Sequence, residues 1–99
     1  MELRSLAEAE PFTTKDGSTI RELHHTPVQS LAEATLGPGQ GTQRHYHAQS
    51  EEIYLLTDVA GDAALIPPGA WHELVAGPKG VRLLCMCVPP YSHDDTFFV

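Results

Sequence analysis

The sequence contains no asparagine, only two cysteines, and only six lysine or arginine side chains among its 99 residues. Against thirteen acidic residues and a formal charge of −7, so few cations exclude a nucleic acid as the main partner, because phosphate binding is dominated by Lys and Arg. Arg4, Lys15, Arg21, Arg44, Lys79 and Arg82 are scattered and form no basic stripe. No apolar run approaches the ~20 residues of a membrane-spanning helix. The opening Met1-Glu2-Leu3-Arg4 lacks a signal peptide's apolar stretch. A cytoplasmic protein with no membrane partner is therefore expected. Cys85 and Cys87 are separated by Met86 alone. They share a face of an extended strand, but a bridge closing so short a loop is strained. They read as reduced thiols packed like small hydrophobes, with thiol chemistry or a soft-metal site as the alternative.

Also missing is any long stretch with 3.6-residue periodicity. Eight glycines and eight prolines instead punctuate short segments. Strands are expected at about Ile20–Leu23, Val28–Leu36, Thr42–His47, Glu52–Thr57, Ala63–Ile66, Trp71–Val75 and Val81–Val88. Turn chemistry sits at the joints: Asp16-Gly17, Gly37-Pro38-Gly39-Gln40-Gly41, Ala60-Gly61-Asp62, Pro67-Pro68-Gly69 and Gly77-Pro78-Lys79-Gly80. Many short strands with regular turns predict an all-β sandwich or small barrel. At 41% hydrophobic and 19% charged residues the chain matches a globular domain, not a disordered one, and its length supports one core. The expected organisation is a single domain over 1–99, with an N-terminal arm (1–19), a barrel core (20–88) and a C-terminal tail (89–99). The pentapeptide Ser5-Leu6-Ala7-Glu8-Ala9 recurs as Ser30-Leu31-Ala32-Glu33-Ala34. Its composition favours helix, so the first copy is expected as a helical turn. The second, between β-type neighbours, is expected as strand.

The chemistry-bearing residues concentrate in the middle of the chain. On a strand, His45 and His47 project to the same face. Glu52 follows five residues on and opens the apolar strand Ile53-Tyr54-Leu55-Leu56. His72 follows the Pro-Pro-Gly turn, where Pro68 presets the first turn dihedral and Gly69 supplies positive φ. Three imidazoles and a carboxylate suit a borderline divalent metal, Fe, Mn, Ni, Co, Cu or Zn. On an octahedral ion that set leaves two adjacent positions open.

Gly39, His45-x-His47 and Glu52, followed by Gly61, Pro67-x-Gly69 and His72, resemble the two signature motifs of the cupin superfamily. These read G-x5-H-x-H-x3,4-E-x6-G and G-x5-P-x-G-x2-H-x3-N. The resemblance spans roughly residues 32–88, and the tail Val88–Thr96 is similar to that of some small single-domain bacterial cupins. It implies a conical β-barrel (a double-stranded β-helix, or jelly roll) with one metal held by His45, His47, Glu52 and His72, and a homodimer. The sequence departs from the motifs at Val59, where Gly is expected, and at Ala76, where Asn is expected. Only Ile53–Ala60 lie between Glu52 and Gly61. The barrel is thus expected to lack about two strands' worth of wall, whether naturally, by design or because a disordered loop is missing. An exposed sheet edge then invites a second subunit.

Glu51 is the less favoured carboxylate, read as solvated or as a supporting acid. Gln43 and Tyr54 share parity with the ligands and are the candidates for pocket lining, substrate contact or catalysis. Trp71 is expected to face away from the site. Glu33 matters only if it points inward as a base. His24, His25 and His93 read as surface residues. Phe97-Phe98-Val99 reads as an apolar end docked on the barrel or on a dimer mate. The resemblance and the donor set together suggest a metal-dependent dioxygenase-type oxidoreductase acting on a small organic substrate. A Lewis-acid isomerase or lyase, a non-catalytic metal- or ligand-binding module, and an engineered metal-binding scaffold are the alternatives.

Overall fold

The fold is described from a computed structural model over residues 1–57 and 61–99. Among the described residues eight short strands form two antiparallel sheets: β1 (Phe12–Thr13), β2 (Thr19–His25), β3 (Ser30–Leu36), β4 (His45–His47), β5 (Glu51–Leu56), β6 (Ala63–Ile66), β7 (Val81–Val88) and β8 (Thr96–Phe98). The larger sheet has the order β1-β2-β3-β7-β5-β6, and β4 pairs with β8 in the smaller one. This is the all-β, cupin-type barrel that the sequence leads one to expect.

Strand alternation decides what faces the interior. Ser30, Ala32, Ala34 and Leu36 of β3, Leu83, Cys85 and Cys87 of β7, and Glu52 and Tyr54 of β5 all line one cavity. Ala34, Leu36, Leu83 and Cys87 are buried there. The opposite parity of β5, β6 and β7 carries Ile53, Leu55, Leu65, Leu84, Met86 and Val88 on the outer face. Leu65 there is 61% exposed.

The two turns that matter most are built on glycine. Gly80 leads into β7 at φ 77°, and a Cβ there would meet the Leu36 carbonyl oxygen at 2.6 Å. At the Pro-Pro-Gly turn Gly69 adopts φ 81°, Ala70 N–H donates to Pro67 O at 3.2 Å, and Gly69 N–H donates to His47 O at 2.7 Å. Positive φ at the third position is what the turn requires, and the turn is tied directly to β4.

The expected strand boundaries hold closely for β2, β3, β5, β6 and β7 and fail in the smaller sheet. Trp71–Val75 is not a strand: it contributes only isolated bridges, His45↔His72 and Gly41↔Val75. Thr42–His47 shortens to His45–His47 because Thr42 N–H turns to Leu74 O and Gln43 N–H to Asp16 O, two unrelated partners. The first pentapeptide copy forms a 3-10 turn (Leu6–Glu8) and the second lies in β3. The arm and tail both add strands, β1 and β8, too short to show any period. The expected shortened link between Glu52 and Gly61 includes residues 58–60, with Val59 at the motif's glycine position; these lie outside the described residues.

Candidate metal centre

β4 places the His45 and His47 rings on the cavity side, and the bridge to His72 brings in the third. His45 and His72 exchange backbone hydrogen bonds of 2.9 and 2.8 Å, so their rings are neighbours, with centroids 4.2 Å apart and planes inclined at 59°. His47 lies 5.2 Å from His45 and 5.4 Å from His72 by the same measure. The ligating atoms of His45, His47 and His72 all lie within 4.8 Å of one another, and this group can hold a metal ion. Glu52 enters from the facing sheet on β5, beside this group. Its Oε1 is 3.4 Å from His47 Nε2 and 3.3 Å from His72 Nε2.

The hydrogen-bond partners fix which ring nitrogen carries the proton. His45 Nδ1 donates to Gln43 O at 2.6 Å, and His72 Nδ1 donates to Ala70 O at 2.9 Å, since a carbonyl can only accept. Thr96 spends its hydroxyl hydrogen on Ser92 O at 2.9 Å, so at 3.3 Å it accepts from His47 Nδ1. In all three neutral rings Nε2 is therefore a bare lone pair aimed inward. Glu52 Oε1 faces two of them, while its Oε2 accepts the Cys87 thiol at 3.2 Å. Glu52 Oε1 and His72 Nε2 are buried without a hydrogen-bond partner. They are near enough to influence each other's ionisation but are not aligned as a hydrogen bond. Acceptors crowded in a buried pocket without a donor are costly. A divalent cation satisfies this arrangement, and the donor types suit one.

The electrostatics follow from burial and from this crowding. Burial opposes ionisation of Glu52; with no metal bound, an imidazole proton turned to its Oε1 in place of a bare lone pair, His47 and His72 being the partners, overrides burial and holds the carboxyl at about 2. His45 is shifted down, mainly by burial. His72 is shifted up: burial works against the shift, but Glu52 outweighs it. Burial and the nearby Glu52 charge push Tyr54 and Cys87 up, so both stay protonated.

No family model matches the chain. It is 40% identical over 106 aligned positions to the uncharacterized protein MJ1618 of Methanocaldococcus jannaschii, covering 87% of this chain and 85% of that protein. The chain belongs to the MJ1618 family. Its fold is shared with a Streptomyces PAC13 variant bound to uridine (TM-score 0.82, 13% identity, all of this chain and 90% of the other). It is likewise shared with the polyketide cyclase RemF of Streptomyces resistomycificus (TM-score 0.75, 22% identity, all of this chain and 85% of the other).

In this member of the MJ1618 family His45, His47, His72 and Glu52 do come together, and Tyr54 lines the cavity with its ring 6.0 Å from that of His72. Gln43 does not line it. Its side chain is exposed, and it serves the site through the backbone oxygen that orients His45. Parity failed there because the strand begins only at His45. Glu51 is exposed. Trp71, 44% exposed, faces outward against Tyr46 and beneath Arg44. Glu33 is buried on the outer parity of β3 and pairs with Arg82 at 3.5 Å; the inward alternative does not occur.

Three side chains that position or line the site carried no local signal. Asp16, readable only as a turn residue, lines the cavity with Oδ2 3.8 Å from His45 Nε2. Asp95 accepts from the backbone N–H groups of Ala48, Gln49 and Ser50 at 3.1, 3.0 and 3.1 Å. Thr96 fixes His47. The last two depend on contacts nearly fifty residues apart in sequence.

Proposed function

We propose that the protein is a small metal-binding cupin whose centre uses His45, His47, His72 and Glu52 and acts on a small organic molecule in the adjoining cavity. The observation carrying this reading is the partnerless, buried pair Glu52 Oε1 and His72 Nε2, set among two further inward-facing imidazole nitrogens. One divalent metal (Fe, Mn, Ni, Co, Cu or Zn), held by His45, His47, His72 and Glu52, would supply Lewis acidity toward an oxygen-bearing ligand. The chain's own residues then do the rest. Small and apolar side chains, Ala32, Ala34, Leu36 and Ile20, shape the pocket and exclude water. Tyr54, kept as a phenol by burial and Glu52, can donate a hydrogen bond to an oxygen of the ligand.

Two reaction classes fit this donor set. Isomerase or lyase chemistry is supported by the protonated Tyr54 beside the centre and by the company the fold keeps, since PAC13 is a nucleoside dehydratase and RemF a polyketide cyclase. The dioxygenase-type oxidoreductase reading rests on the donor set and on the cupin resemblance. Oxygen uptake with catechol- or diketone-like compounds after loading with Fe or Mn separates the two. The carrying experiment is metal content by elemental analysis. About one equivalent is expected in the wild type and almost none in His47→Ala or Glu52→Ala. Unchanged content in both variants rejects the site.

A shortened barrel wall is part of the same proposal: the match to MJ1618 runs over 106 positions, more than this chain's 99 residues, so it contains gaps on this chain's side. The position of β6 at the sheet edge among the described residues and the apolar outer face support a homodimer. The cytoplasm is the proposed location. Among the described residues no helix is long and apolar enough to cross a membrane.

A further inference from the structure

We infer that Asp16 is the specificity-determining residue of the pocket, and that it selects an uncharged oxygen chelator carrying a free hydroxyl, such as a short 2-hydroxy ketone. The inference rests on the metal reading above. Asp16 sits in the tight turn between β1 and β2, and its two oxygens have different fates. Oδ1 is saturated, accepting from Thr14 Oγ1 at 2.6 Å, Ser18 N at 2.9 Å and Ser18 Oγ at 2.7 Å. The turn is anchored in turn to the centre, because Gln43 N–H donates to Asp16 O at 2.9 Å and the Gln43 carbonyl orients His45. Oδ2 is thereby held in one place.

From there Oδ2 faces His45 Nε2 at 3.8 Å. That nitrogen is a lone pair, so two acceptors confront each other with no hydrogen between them. Glu52 approaches His47 and His72, whereas Asp16 approaches His45, so the two carboxylates flank the histidine group from different sides. The Asp16 side chain is 17% exposed, so water can serve Oδ2 in the ligand-free pocket. A ligand seated beside His45 displaces that water and must present a donor in its place or leave the carboxylate oxygen unpaired. A hydroxyl supplies that donor.

Charge sets the rest of the ligand's character. Glu52 and Asp16 together balance a divalent cation, so an anionic ligand would add an uncompensated charge in a largely enclosed site. A neutral chelator adds none. The wall behind it is made of Ile20, Ala32, Ala34 and Leu36, which suits a short aliphatic body rather than a charged one.

The test uses the cobalt(II)-loaded protein and its visible absorption as the readout. Hydroxyacetone is titrated against methoxyacetone, which keeps the chelating oxygens and lacks the hydroxyl hydrogen. The wild type is expected to prefer hydroxyacetone by about tenfold, the worth of one hydrogen bond to a charged acceptor. Asp16→Asn keeps a side-chain oxygen for the Thr14 and Ser18 donors, and it should bind both compounds alike. Asp16→Ser, which can also support the turn, should do the same and guards against a folding defect in the first variant. A preference that survives in Asp16→Asn and Asp16→Ser, or that is absent from the wild type, overturns the role of Asp16. Failure of the wild type to take up cobalt overturns the metal reading and this inference with it.

Discussion

At the residue scale the centre is a set of lone pairs waiting for positive charge, and protons are the alternative to a metal. Glu52 shows this most directly. Its carboxyl is held at about 2 against an ordinary value of 4.5. A depressed carboxyl stabilises the fold above its unfolded value, and that contribution disappears as pH falls towards the folded one. In the metal-free protein stability should therefore drop between about pH 4.5 and pH 2. His45, shifted down, loses its contribution as pH falls below 6.5; His72, shifted up, loses its contribution only as pH rises. The two oppose each other above the window in which Glu52 acts. Urea unfolding midpoints measured from pH 6 to pH 2 should show the acid drop in the wild type and a much shallower one in Glu52→Gln. Equal slopes would mean that the imidazoles do not hold Glu52 ionised.

At the element scale the small sheet is where the centre gains its rigidity. β8 lies against β4 with His47 opposite Thr96, while Asp95 gathers three consecutive N–H groups of the link that follows β4. Hydrogen bonds to a carboxylate are among the stronger ones. Asp95→Ala should cost about 2 kcal/mol of stability, measured by chemical denaturation. Thr96→Val, which removes the acceptor for His47 Nδ1–H, should weaken cobalt binding by about tenfold, and Thr96→Ser should restore it. The same sheet marks the limit of what the sequence reveals. β5 and β7 are legible because Glu52-x-Tyr54 and Leu83-x-Cys85-x-Cys87 alternate over enough residues to fix parity. The three histidines and Glu52 are legible as a set through their resemblance to the two cupin motifs, since the His45-x-His47 spacing alone points to no ligand set. β8 is three residues long, and Trp71–Val75 is extended without pairing continuously. Asp16, Asp95 and Thr96 act through distant partners, which no local pattern encodes.

At the scale of the whole molecule, one sheet serves two surfaces. Its inner parity builds the pocket, and its outer parity presents Ile53, Leu55, Leu65, Leu84, Met86 and Val88, ending at β6, the edge strand among the described residues. Contiguous apolar surface of this kind is usually covered in a stable assembly. The proposed homodimer should accordingly dissociate in Leu65→Lys combined with Met86→Lys, read as a halved mass by light scattering, while metal content stays unchanged because neither side chain faces the pocket. A wild type that sediments as a monomer would remove the dimer and leave the centre standing.

The pairing of Thr96 with His47 bridges 49 positions of the chain, and it has a consequence for biosynthesis. When the ribosome has released all the proposed ligands, through His72, neither Asp95 nor Thr96 yet exists to secure the loop and ring they hold. A nascent chain stopped short of them would carry every proposed coordinating group but not their final orientation, so loading with the proposed metal would follow translation past this point.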